Sequence, residues 1–539
     1  QQLLNRSETD QEAQDRRLLD MTLQDTEVGD EDVPPDMEDI VEIINGLKNN
    51  KSPGVDGVAA ELLKQGGDEL IQNLFQLVWD IWTSEQMPKE WSLAAICPIH
   101  KKGDKLVCEN YRGIALLCVA YKVLAIAISR RLQQHAAREI GEYQCGFRAG
   151  RSTTDHIFAV RQILEKAYEF DVTLHHLFVD AKQAYDSVSR SALLKDLLSF
   201  GVPKKLVRLV RMTLEGSKCL VRVQGDLTES FEVRNGLRQG DPEAPGLFNF
   251  CLEGAVRAIR TNPGGTIYNR MTQHLAYADD VEIIGRTLPA LSGAFEEFER
   301  AAKDRGLVVN DKKTMYMRTA RNHSAGHPGT IEMAGHHFPV CREFKYLGAL
   351  ITEQNDVPSE IKARIEAGNR CFWALHRVLS FNALPRKAKV RLYKTTIRPV
   401  VTYGSETWVL TQEWEQKLRV WERKVLRRIY GPVFDAEEQA WRIRTNEELR
   451  ELYAEPDVVT FIKRGRLRWL GHVERMEQDR VPRRLLNGHP GGSRRRGRPR
   501  MRWLDDVEAD LRGLGVRRWR VAALDRDEWR RTIEEAQVL

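Results

Sequence analysis

No apolar stretch of the 539-residue chain could cross a bilayer, because charged residues, 30% of the total, break every hydrophobic run early. The opening segment QQLLNRSETDQEAQDRRLLD lacks the apolar core of a secretory signal. The eight cysteines (97, 108, 118, 145, 219, 251, 341 and 371) include no CxxC pair. That spacing argues against a zinc site and suits reduced thiols of an intracellular protein. No fixed-period internal repeat is present, which sets aside solenoids and propellers. Basic excess is missing from residues 1–50, which sum to −10, whereas 51–450 sum to +10 and 451–539 to +6. An acidic leader before a basic body suits a polyanionic partner, although charge alone is a weak guide to nucleic acid.

What remains is a soluble globular composition, 42% hydrophobic, with length for roughly three or four domains. Residues 1–36 read as a flexible acidic leader. Asp36 can cap a helix whose apolar positions Ile40, Ile43, Ile44 and Leu47 recur at helical spacing. After the loop NNKSPGVDG, a second amphipathic helix starts near Val58. WSLAAICPIHKKGD reads as a strand entering a basic turn, and Tyr111 to about Leu132 as helix. LHHLFVD is a short strand ending on an acid, CLVRVQGDLTESFEV a hairpin, and GLFNFCLEGAVRAI a helix. A helix near 290–305 and a strand VVNDKKTMYM follow. From Ser359 the chain turns helical and basic, with Ile361, Ile365, Phe372, Leu375 and Leu379 as an apolar stripe. Mixed strands and helices followed by helices predict an α+β body with an all-helical extension.

The chemistry concentrates in LAYADDVEII, where Asp279 and Asp280 stand together between two strand-forming runs. A turn is the bland explanation of two adjacent aspartates. The alternative is a divalent cation: with Asp180 at the end of LHHLFVD, three carboxylates from two strand ends could hold two Mg²⁺ ions. Without metal such a cluster is costly, since like charges raise one another's pKa.

YADD (277–280), FVDAKQAYDSV (178–188) and GLRQGDPEAPGLFNF (236–250) together resemble the reverse transcriptases of non-LTR (LINE-type) retrotransposons. NKSPGVDG, HKKGDKLVCENYRGIALL and YQCGFRAGRSTTDHI upstream are similar to that family's fingers segments. GLVVNDKKT and FKYLGALI downstream resemble its late palm and primer-contacting segments. The resemblance implies a right-hand polymerase: fingers and palm over 37–350, a helical thumb over 351–450, and an Arg-rich nucleic-acid-binding region over 451–539.

Carried over by position, it makes Asp180, Asp279 and Asp280 the ligands of two Mg²⁺ ions, with Mn²⁺ as a substitute. Lys101 (or its neighbour Lys102) and Arg112 would meet the triphosphate. Ala181, Tyr185, Gln239 and Gly240 would line the nucleotide, with the Tyr185 ring excluding a 2′-hydroxyl. The alternative for Tyr185 is a core tyrosine. Lys313, in competition with Lys312, would donate a proton to pyrophosphate. Tyr277, Tyr346, Leu347 and Gly348 would contact primer and template, with hairpin core as the alternative for Tyr346 and Leu347. Glu243 and Ala244 depart from the apolar residue and serine usual in the family, which would touch template contacts or fidelity.

The resemblance implies RNA-directed DNA synthesis on an RNA template. The primer would be a DNA 3′-end from nicked target DNA, and the substrates deoxynucleoside triphosphates. Only the short leader precedes the polymerase segments, so an endonuclease is expected from a missing upstream domain or another chain. No membrane association is expected. An intracellular location follows, nuclear for target-primed synthesis with cytoplasmic assembly as the alternative. A catalytically silent nucleic-acid-binding relic and an intron-maturase reverse transcriptase are the rival readings.

The stretch 463–500 carries 13 Lys/Arg against 3 acids, and all but Lys463 are arginine. That bias suits phosphate contact. Within it Arg494, Arg495, Arg496, Arg498 and Arg500 are candidate nucleic-acid contacts, and RRRGRPR resembles an AT-hook core. A solvated or localisation segment is the alternative. His472 reads as a packing residue, since no cysteine follows Cys371.

Overall fold

The computed structural model describes residues 5, 10–23, 33–260, 266–321, 329–492, 494 and 502–535. Two sheets organise its first half. One contains β1 (Leu93–His100) and β2 (Tyr111–Leu116) in antiparallel pairing. The other contains β3 (Leu174–Val179). β4 (Lys218–Val223) runs parallel to β1 and carries β5 (Asp226–Leu227) and β6 (Phe231–Glu232). β7 (Thr272–Tyr277), β8 (Asp280–Gly285) and β9 (Met315–Thr319) join β3 in an antiparallel sheet of order β7-β8-β3-β9.

Both faces of the β3 sheet are covered. Helices Ala244–Arg257 and Leu288–Asp304 bring Phe248, Phe295 and Phe298 to one side, and Val160, Ile163 and Leu164 of helix Thr153–Glu169 meet Phe178, Leu275 and Ile284 on the other. Strands β3 and β8 therefore bury even their central polar residues, His176 and Glu282, which bond each other at 2.9 Å. Hairpins β10 (Thr330–Met333)–β11 (His336–Pro339) and β12 (Glu343–Tyr346)–β13 (Ala349–Thr352) follow.

The first helix of the ordered body begins as its sequence demands. Asp36 accepts a 2.8 Å bond from the Asp39 amide, and Ile40, Ile43 and Ile44 are buried. Three local expectations fail. Tyr111–Leu116 is strand β2, and the helix starts only at Val119. In VVNDKKTMYM only Met315 onward pairs as strand, because Asn310–Thr314 turn back on Asp180. The leader is not wholly loose: helix Asp10–Leu23 docks with Leu19 and Leu23 buried, and Arg211 reaches Asp20 at 2.6 Å.

A second core joins helices Val357–Ala374, Gln412–Tyr430 and Val458–Glu474, with Ile361 and Leu379 of the expected stripe fully buried. The small hairpin β14 (Val433–Asp435)–β15 (Ala440–Arg442) projects from this lobe. A division at residue 450 thus cuts through packed helices, because Val458, Val459 and Ile462 belong to the same core. Beyond it, helices Val458–Glu474, Trp503–Gly513 and Arg526–Glu535 enclose a third core around Trp503 and Trp529 and pack on Phe158. The C-terminal region is folded protein over most of its described length.

Candidate active site

Strand register brings the acids together. Val179 of β3 stands opposite Val281 of β8, so the next residue outward on each strand is Asp180 and Asp280. Asp279 lies on the two-residue turn between β7 and β8, after the Tyr277–Asp280 pair closes the ladder. Ala278 takes a left-handed φ of 54°, unusual for a residue with a side chain. The YQCGF loop holds it there. The Gln144 side-chain oxygen accepts the amides of Gly146 at 2.7 Å and Ala278 at 3.0 Å. A Cβ on Gly146 would come within 2.3 Å of the Ala278 nitrogen, so only glycine lets the loop approach so closely.

Burial, then the charges of Asp279 and Asp180, push Asp280 up to about 6. Burial likewise raises Asp279, helped by Asp180 and opposed by Arg112 and Lys313. Asp180 is turned toward cations and amides: Lys313 Nζ is 3.4 Å from its carboxylate and Asn310 Nδ2 donates to it at 3.2 Å. Among the described residues no group of three or more His, Cys, Asp or Glu side chains is arranged to hold a metal ion.

Beside the acids lies a cavity of about 480 Å³, lined on one side by Lys101 and Arg112 and on the other by Gln183, Asp186 and Gln239. Tyr185 stacks on Phe248 at 4.5 Å, and its buried hydroxyl finds no hydrogen-bond partner among the described residues. Ala181 forms an isolated antiparallel bridge with Val309. Lys313, not Lys312, is the lysine paired with Asp180.

Several expected contacts are internal instead. The Gly240 approach is to protein, since a Cβ there would meet the Ala115 carbonyl at 2.7 Å. Glu243 cannot touch a template: it is 2% exposed and accepts a bond from the Thr213 hydroxyl at 3.0 Å. It adjoins a buried network in which Arg238 donates to Asp241 at 2.9 Å and to Tyr121 at 2.6 Å. Tyr346 is 2% exposed, with its hydroxyl 3.1 Å from His156 Nδ1, so it fills the core under the hairpin. Leu347 and Gly348 form the tight β12–β13 turn, where Leu347 accepts the Tyr403 hydroxyl at 2.7 Å. Tyr277 remains half-buried at the site, edge-on to His156.

Sequence reasoning passed over Gln144, Asn310 and Asp186. Asn310 carried a signal, three positions before Lys313, whereas Gln144 acts across 134 positions of chain. Arg495, Arg496, Arg498 and Arg500 lie outside the described residues. Arg494 is engaged internally, 2.6 Å from Glu169. Other arginines of that stretch are structural. Arg466, fully buried, is clasped by Asp506 and Asp510, and Arg480 reaches Asp155 at 2.7 Å and Glu142 at 3.1 Å.

Residues 99–351 match the family "Reverse transcriptase (RNA-dependent DNA polymerase)". They are a reverse transcriptase domain. A transposon TX1 protein of Xenopus laevis is 27% identical over 52% of this chain and 22% of its own length. The probable RNA-directed DNA polymerase from transposon BS of Drosophila melanogaster is 26% identical over 74% of this chain and 44% of its own. Apo telomerase from Candida tropicalis superposes with a TM-score of 0.39 at 16% identity, covering 67% of this chain and 66% of that one. The chain spans between about a fifth and a half of the length of the first curated relatives it matches. The reverse transcriptase domain thus includes β3, β7 and β8 and all three aspartates, and its relatives are those of non-LTR retrotransposons. No helix among the described residues is long and apolar enough to cross a membrane.

Proposed function

We propose that the chain is an RNA-directed DNA polymerase of the non-LTR retrotransposon kind, extending a DNA primer on an RNA template from deoxynucleoside triphosphates. The observation that carries this is the β3–β8 register, which sets Asp180 opposite Asp280 with Asp279 on the adjoining turn. Their hard oxygen donors, with Asp279 and Asp280 raised first by burial and then by neighbouring negative charge, suit Mg²⁺, or Mn²⁺ in its place. When bound, two such ions would activate a primer 3′-hydroxyl and stabilise charge on the leaving pyrophosphate.

The chain's own groups divide the remaining work. Lys101 and Arg112 face the cavity beside the acids and can bind phosphate oxygens. Gln239, held against Asp186 at 3.3 Å, gives the nucleotide a polar floor. The Tyr185 ring, fixed by its stack on Phe248, occupies the place of a 2′-hydroxyl and favours deoxynucleotides. Lys313, exposed and charged, releases its hold on Asp180 to protonate pyrophosphate. Priming from nicked target DNA, a nuclear site of action and an endonuclease supplied from elsewhere belong to the same reading.

Primer extension on a primed RNA template with Mg²⁺ tests it. Asp180→Ala, Asp279→Ala or Asp280→Ala should each abolish extension and leave primer–template binding largely intact, since affinity comes mainly from phosphate contacts. Near-normal extension by the Asp279 or Asp280 variant sinks the metal assignment. Binding without extension by the unaltered protein would favour a silent nucleic-acid-binding relic.

A further inference from the structure

The lobe of helices Val357–Ala374 and Gln412–Tyr430 carries an open cavity of about 370 Å³ that shares no residue with the catalytic region. Its floor is aromatic. Trp373 is 66% exposed and stacks on His376 at 5.1 Å, with Phe372 edge-on at 5.5 Å. Ile443, 74% exposed, adds a further apolar side chain to the lining. Large rings left in water cost free energy and mark an interaction site.

The rim is cationic, with Lys424, Arg427, Arg428 and Arg444 among the lining residues and no acid. Among the described residues Arg428 bonds a neutral group, the Ser380 hydroxyl, at 2.6 Å. Arg427 donates to the Asn446 side chain at 2.8 Å and to a backbone carbonyl. Lys424 is exposed, with no hydrogen-bond or ion-pair partner among the described residues. The flanking stretch 362–398 holds ten Lys/Arg and one acid.

We propose that this cavity is a second nucleic-acid site that takes a single strand, stacking unpaired bases on Trp373 while Lys424, Arg427 and Arg428 follow the phosphates. Exposed rings beside uncompensated cations match that chemistry, because every base offers a π-face and every linkage a charge. A duplex hides its base faces and leaves the rings unused. A protein partner, including a second copy of this chain, would need acids to meet the rim.

The test uses the full chain with its polymerase cleft filled by excess unlabelled hairpin primer–template. Fluorescein-labelled oligo(U) is then titrated by anisotropy, with a labelled blunt duplex in parallel. Trp373→Ala should weaken oligo(U) binding by roughly 5- to 100-fold, and Trp373→Phe by much less. Lys424→Ala should lower the slope of log affinity against log salt by about 0.7. Duplex binding and extension on saturating primer–template should stay as in the unaltered protein. Equal losses on oligo(U) and duplex, no loss in either variant, or a change in oligomeric mass with Trp373→Ala would each overturn the assignment. Loss of extension tests the polymerase reading separately, because it is measured on the other site.

Discussion

Arg480 joins the C-terminal helices to the segment that supports the Ala278–Asp279 turn, and its removal has a calculable cost. The guanidinium is 6% exposed, 2.7 Å from Asp155 and 3.1 Å from Glu142, and Asp155 is itself 1% exposed. Taking one partner from a buried pair costs about 3–5 kcal/mol, because the remaining charge is left desolvated. Here the loss falls near the low end. Asp155 keeps bonds from the Ser152 amide at 2.9 Å and hydroxyl at 2.7 Å, and Glu142 keeps Arg151 at 2.7 Å. Arg480→Met should therefore destabilise helix Thr153–Glu169 by about 3 kcal/mol. Native-state amide exchange reads this directly, as roughly 100-fold faster exchange of the most protected amides in that helix. Asp155→Asn combined with Arg480→Met should cost less than the sum of the single changes, since the neutral amide no longer needs the cation. A change below about 1 kcal/mol, or strict additivity in the double variant, would refute the argument.

Gly146→Ala should slow primer extension several-fold while leaving primer–template affinity unchanged, because the new methyl displaces the Ala278 turn that it would meet at 2.3 Å; an unchanged extension rate contradicts this. The carboxyl of Glu422, on helix Gln412–Tyr430 and 2% exposed, is pushed up to about 7, first by burial and against the bonds from Tyr393 at 2.6 Å and Val458 at 2.8 Å. Its folded pKa exceeds the unfolded value, so its contribution is full below about pH 4.5 and is lost as pH rises through about 7. Melting curves across that window should show falling stability in the native chain and a flatter profile in Glu422→Gln; identical pH dependence in the two proteins counts against it.

Local pattern carried much of the fold. Asp36 before Ile40, Ile43 and Ile44 announced a capped amphipathic helix, and LHHLFVD announced a buried strand ending on an acid, because both signals are complete within a few residues. The Tyr111–Leu116 strand was hidden, since its partner β1 lies across a loop and the adjoining helical pattern ran into it. Contiguous motifs placed Asp279 beside Asp280, but only register puts Asp180 opposite them. The reach of Gln144 to Ala278 and of Arg480 to Asp155 could not be read at all, because each spans more than a hundred positions.

The arginines show most sharply where composition stops being informative. Counting charges over 463–500 treats every cation as available to phosphate, yet availability depends on which carboxylate the fold brings near. Arg466 takes Asp506 and Asp510, Arg480 takes Asp155 and Glu142, and Arg494 takes Glu169. All five of these acids lie outside the helix or loop that supplies the arginine, and none lies within the basic stretch itself. A chain cut near Pro456 would therefore lose more than phosphate contacts: it would strip Val458, Val459 and Ile462 from the second core and leave Asp155 without its cation. Reduced extension by such a truncation would report lost packing around helix Thr153–Glu169, so only exposed substitutions such as Lys424→Ala can isolate the contribution of charge.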